Sequence, residues 1–235
     1  MQGGAAQRKI FSMKTYPLND VPPALLSEVC SIHHEPVQQD VWEALAQVKV
    51  PPSEEERLLL RAITSKLLYY KTQRVNEATI WARAIYPLLV LAERDSIRAW
   101  AGIPLGAAFG EIELRGEVDG ALAASVDEEV STPYLLVVEA KRGVAGRDPM
   151  AQLLASLLCA GKRNEQEGVT ARELFGCYTI ADVWTFIRAT FEWSQPKPTM
   201  RVLSSREYTE KTEAATILAI LKTIVGRNDL RGPTA

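Results

Sequence analysis

The chain has 235 residues, 47% of them hydrophobic and 24% charged, and a formal net charge of −2. This is enough apolar material for one domain of ordinary size. It excludes a polybasic nucleic-acid binder and leaves room only for a local basic patch. Cys30, Cys159 and Cys177 lie far apart with no CxxC pair, which speaks against a zinc ribbon, a disulfide framework or an iron–sulfur cluster.

Taken in chain order, residues 1–50 are the least regular. Pro17, Pro22, Pro23 and Pro36 punctuate them, and only "VWEALAQVKV" from Val41 looks periodic. An irregular arm or cap is expected here, in front of a single α/β domain over residues 51–235. The opening "MQGGAAQRKI" has no apolar signal core, so a cytoplasmic protein is expected. His33 and His34 are adjacent without a metal-ligand spacing, and read as structural or exposed.

"PPSEEERLLLRAITSKLLYYK" predicts a helix. Ser53 is a candidate N-cap, and Glu54, Glu55 and Glu56 suit the positive end of the helix dipole. "NEATIWARAIYPLLVLAERD" predicts a second helix, kinked or split at Pro87, which lacks the amide to bond Arg83. No apolar run reaches the roughly 20 residues of a membrane span. From Ile112 the period becomes extended, and "EIELRGEVDGALAAS" predicts one or two strands of a hairpin. "YLLVVEAK" predicts a central strand buried on both faces.

"RDPMAQLLASLLCAGKR" predicts a helix with Asp148 as N-cap, Pro149 at its first position and Gly161 near its end. "LFGCYTIADVWTFIRATFE" reads as two strands around a turn near Ala181 and Asp182. A short strand in "TMRVLSS" and a closing helix ended by Gly226 complete the chain. The expected fold class is α/β, with a mixed central sheet flanked by helices and an α-helical N-terminal extension.

Glu139 and Lys141 are two apart at the end of the central strand, so both point to one face. They are either a strand end meeting water or half of an active site. Asp119, in "GEVDG", lies one strand earlier; it is a second carboxylate for the same ion or part of an Asp-Gly hairpin turn. Gln152 falls in the first turn of the following helix, beside the stripe Met150, Leu153, Leu154, Leu157. Glu77 stands at i to Ile80, Trp81 and Ala84 at i+3, i+4 and i+7. That spacing predicts a carboxylate on an apolar helix face, costly unless paired or metal-bound, or else a capping residue beside Asn76. The five tryptophans read as packing, Trp184 least clearly. No GxxxxGK[ST], GxGxxG or GxSxG pattern occurs.

Asp119, then Glu139-Ala140-Lys141, then Gln152 on the next helix, together resemble the PD-(D/E)XK nuclease superfamily. The motifs are "GEVDG", "VVEAK" and "DPMAQLL", over about Asn76 to Gly226, with "FGCYTIADVWTFIRA" similar to the family's downstream hairpin. The resemblance implies a restriction-endonuclease-like core and a metal-dependent endonuclease or exonuclease in restriction, defence or repair. Its partner would be nucleic acid, DNA ahead of RNA, and the protein would act alone, as a homodimer or in a larger assembly. Asp119, Glu139 and the Ala140 carbonyl would hold Mg²⁺ (or Mn²⁺), with Glu77 as an additional acid. Lys141 would activate water, and Gln152 would position water or phosphate. Val118 stands where the family's proline precedes the first aspartate. Lys141, Arg142, Arg147, Lys162, Arg163 and Arg172 outnumber Asp148, Glu165 and Glu167 after the site, which suits a phosphate backbone.

Overall fold

In the computed structural model, residues 13–47, 52–141, 149–171, 173–193 and 197–227 are described. Already before the first long helix the chain enters the sheet. β1 (Lys14–Pro17), a 3₁₀ turn (Leu18–Asp20), α1 (Pro23–Val29), β2 (Ser31–His34) and α2 (Gln39–Ala46) follow in order. Of the irregular arm expected over residues 1–50, residues 13–47 carry these regular elements instead, and a boundary after residue 50 would divide strands of one sheet. The rest of that arm lies outside the described residues. The extension ahead of the core is likewise not purely helical. Strands of four residues carry too little alternation to read, and the prolines sit where they are tolerated: Pro17 ends β1 and Pro23 opens α1.

α3 (Glu54–Leu68) starts with a capping box. Ser53 Oγ accepts the Glu56 N–H at 3.1 Å, and Glu56 Oε2 accepts the Ser53 N–H at 2.9 Å. α4 (Glu77–Ile80) runs into a π-helical turn (Trp81–Ile85) and then α5 (Tyr86–Leu91). The break expected at Pro87 is thus taken up one turn earlier. The Tyr86 N–H reaches back to Trp81 O, and Pro87 falls in the first turn of α5, where its missing amide is tolerated.

β3 (Ile97–Phe109), β4 (Ile112–Val126) and β5 (Glu129–Lys141) form an antiparallel meander. β4 is one strand of 15 residues, so Asp119 and Gly120 lie inside a strand and not in a hairpin turn. Its hairpin partner β3 was hidden in the glycine- and proline-bearing "AGIPLGAAFG". Then come α6 (Pro149–Gln166), β6 (Glu173–Ile180), β7 (Val183–Glu192), β8 (Thr199–Thr209) and α7 (Glu210–Gly226). α6 runs through Gly161 to Gln166; Asp148, its expected cap, lies outside the described residues.

The eight strands make one mixed sheet ordered β1-β4-β5-β6-β7-β8-β2, with β3 on the other edge of β4. β1 runs parallel to β4, β5 to β6 and β2 to β8; the other pairs are antiparallel. Alternation along β5 sends Leu136, Val138 and Ala140 into one core with α2, α3, α5 and α7. It sends Val137 into a second core with α1 and α6. The protein is therefore a mixed α/β fold with helices flanking the sheet. No helix among the described residues is long and apolar enough to cross a membrane.

Candidate active site at the fork of β4 and β5

β4 gives the same edge to two different strands. β1 pairs with Ile112–Arg115, and β5 pairs from Gly120 onward. Between them the edge opens. The 3₁₀ turn fills the lower part, where a Cβ on Gly116 would stand 3.0 Å from Leu18 Cβ. Beyond the Gly120–Val138 pair the β4–β5 ladder ends, while β5 stays paired with β6 through Lys141. Asp119 sits at this fork. Its Oδ2 accepts the Ala140 N–H at 2.6 Å, a side chain taking an amide that the ladder has released.

Glu139 is fully buried. Gln152 Nε2 donates to its Oε2 at 2.6 Å, and Ser156 Oγ donates to its Oε1 at 2.9 Å. Gln152 and Ser156 are one turn apart, so α6 presents both to the strand. Burial pushes the Glu139 carboxyl up to about 8; the charge of Asp119 pushes the same way, while Ser156 and Lys141 oppose it. Two carboxylates thus meet where negative charge is poorly solvated, with Lys141 two residues along on the same face. The Lys141 carbonyl accepts the Ala181 N–H at 2.8 Å, which ties the strand end to the β6–β7 turn at Ala181 and Asp182.

Glu77 does not lie on the apolar face that its spacing suggested. It is exposed at the first position of α4 and not set on the buried stripe. Asn76 does the capping, its Oδ1 accepting the Thr79 N–H at 2.8 Å. The charge of Glu77 still adds to the upward push on Glu139. Among the described residues no group of three or more His, Cys, Asp or Glu side chains gathers where it could hold a metal. Of the basic run after Lys141, the two described residues lie away from the site. Lys162 pairs with Glu165 at 2.8 Å and Arg163 donates to Gly106 O at 3.2 Å. They lie ten and eleven residues along α6 from Gln152, about 15–17 Å away. Arg142, Arg147 and Arg172 lie outside the described residues.

Sequence reading missed two contributors. Ser156 had a signal, its position four after Gln152. The other is a polar network behind Lys141. Asp182, buried in the β6–β7 turn, accepts from Thr72 Oγ1 at 2.5 Å and meets Lys211 Nζ at 3.3 Å. Its carbonyl accepts the Glu210 N–H at 2.8 Å. Glu210 is fully buried and accepts from Trp184 Nε1 at 2.8 Å; Trp184 is thus a core residue with a polar tether. These partners come from three separated stretches of chain, so no local pattern announces them. In comparisons with known proteins, no family model and no curated protein matches the chain.

Proposed function

We propose that the chain is a metal-dependent nuclease of the PD-(D/E)XK type, hydrolysing phosphodiester bonds of nucleic acid, with DNA as the substrate. The observation that carries this reading is the fork itself. Asp119 and Glu139 sit side by side on strands that part at that point, with Lys141 next on the same face. The donor set suits Mg²⁺ or Mn²⁺. The Asp119 and Glu139 carboxylates and the Ala140 carbonyl are hard oxygen donors, and a divalent cation would favour the ionised form of Glu139 that burial and the Asp119 charge disfavour. With Glu77 at the surface, water and phosphate oxygens would complete the coordination.

A bound ion lowers the pKa of a water and offsets the charge of the scissile phosphate. The protein's own groups do the rest. Ser156 and Gln152 hold the Glu139 carboxylate in place, and Gln152 would also position water or phosphate, as the resemblance implies. The Lys141 ammonium orients the attacking water and stabilises charge developing on the phosphate. The Ala181 N–H and the Asp182 network fix the backbone from which Lys141 projects.

The test is DNA and RNA cleavage with Mg²⁺ or Mn²⁺ by the protein and its Asp119→Ala and Lys141→Ala variants. Cleavage of DNA that falls by two to four orders of magnitude, roughly, in either variant supports the reading. No cleavage of either nucleic acid, or equal cleavage by all three proteins, overturns it. A second reading keeps the fold as a binding module without chemistry. It is favoured by the hydrogen bonds that already satisfy both oxygens of Glu139. It expects no heat on Mn²⁺ titration, whereas the nuclease reading expects binding that disappears in Asp119→Ala.

A further inference from the structure

α3 carries two apolar stripes. Leu60, Ile63 and Leu67 are buried in the core beneath the sheet. A second stripe, Leu59, Ala62 and the stem of Lys66, lines one wall of a groove of about 700 Å³. Tyr86, Pro87 and Val90 line the other wall. Leu59 is 44% exposed and Val90 42%, and Leu58 extends the same apolar surface at 57%. An apolar groove between two helices is a surface that can seat the apolar face of an amphipathic helix.

The charges on the groove select its occupant. Lys66 and Arg83 are its only ionic lining groups among the described residues, and no carboxylate lines it. Arg83 is held at the rim, its guanidinium 5.6 Å from the Tyr70 ring centre and donating to the Tyr70 hydroxyl at 2.5 Å. The carboxylates of α3 lie in its first turn, ahead of the groove lining: Glu54 pairs with Arg57 and Glu56 with Lys222, while Glu55 is exposed one turn before Leu59. Residues 1–12, "MQGGAAQRKIFS", carry Arg8 and Lys9 and no acid, so they match the sign of the rim. A two-fold pairing of copies would set one cationic rim against the other.

We propose that this groove docks an amphipathic helix of a partner protein, apolar at i, i+3, i+4 and i+7 and flanked by carboxylates that meet Lys66 and Arg83. The inference does not depend on the nuclease reading. The probes are three fluorescent peptides of one length: an apolar-faced helix flanked by Glu, the same helix flanked by Lys, and a scrambled acidic sequence. Titrated with the full chain, the Glu peptide should bind saturably and at least about tenfold more tightly than the other two. Leu59→Glu should abolish that binding, and Lys66→Glu should turn the preference toward the Lys peptide. Both side chains reach solvent, and circular dichroism checks that each variant keeps its fold. Equal or absent binding of all three peptides overturns the proposal, as does a preference untouched by Lys66→Glu. So does a concentration-dependent dimer that Val90→Glu dissociates, because a second copy would then be the occupant.

Discussion

Glu139 and Glu210 are both fully buried carboxylates, on opposite faces of the sheet, and burial pushes each up to about 8 from an ordinary 4.5. Between those two pH values the folded protein keeps protons that the unfolded chain has released. Stability therefore falls as pH rises through this window and levels off above it. Urea midpoints measured from about pH 5 to pH 8 should decline in the wild type, by about half as much in Glu210→Gln, and very little once Glu139→Gln is added. A decline unchanged by Glu210→Gln would show that its carboxyl is not held neutral. Only one of the two residues was legible as special. Glu139 shares a strand face with Lys141, and period-two spacing fixes that from sequence. Glu210 depends on Trp184, 26 residues away, and on a turn between two other strands.

At the scale of elements, the long apolar runs were readable and the strands interrupted by glycine were not. "YLLVVEAK" could only be a doubly buried strand. "GEVDG" offered a hairpin turn because Asp-Gly is the commonest short-range signal for one, yet its glycine serves a close approach. A Cβ at Gly120 would stand 2.5 Å from Trp81 Cη2 and 2.7 Å from the Trp100 carbonyl oxygen. The π-helical turn lays the Trp81 ring on β4 at the residue next to Asp119, so one glycine sets the distance between helix and site strand. Gly120→Ala should cost about 1–3 kcal/mol in denaturant unfolding. The cost should shrink in a Trp81→Ala background but not vanish, since the carbonyl cannot yield. Equal costs in both backgrounds would remove Trp81 from the explanation. β1 and β2 escaped detection for a different reason: at four residues each, their partners define them more than their own sequence does.

Across the whole molecule, the N-terminal segment is part of the core and not an addition to it. Leu18, Leu25, Leu26 and Val29 are buried in the cluster that covers α6 and β4. At about 1.5–3 kcal/mol each, their burial contributes on the order of 6–12 kcal/mol, comparable with the roughly 5–15 kcal/mol that separates a folded domain from its unfolded chain. A chain beginning at Glu35 would lose all four, uncover the outer face of α6, and expose the edge of β8 that β2 now pairs. It should be recovered insoluble or without a cooperative unfolding transition. The cysteines give an independent readout. Cys30 and Cys159 are buried, and burial pushes their thiols up to about 11 and about 12. In the full chain they should resist a thiol reagent at neutral pH. Cys159 lies on α6 with its Sγ 3.8 Å from Leu114 O, in the cluster that the removed segment helps to close, so in the shortened chain it should react readily. A truncated chain that unfolds cooperatively at the full-length midpoint, with Cys159 still protected, would restore the boundary after residue 50.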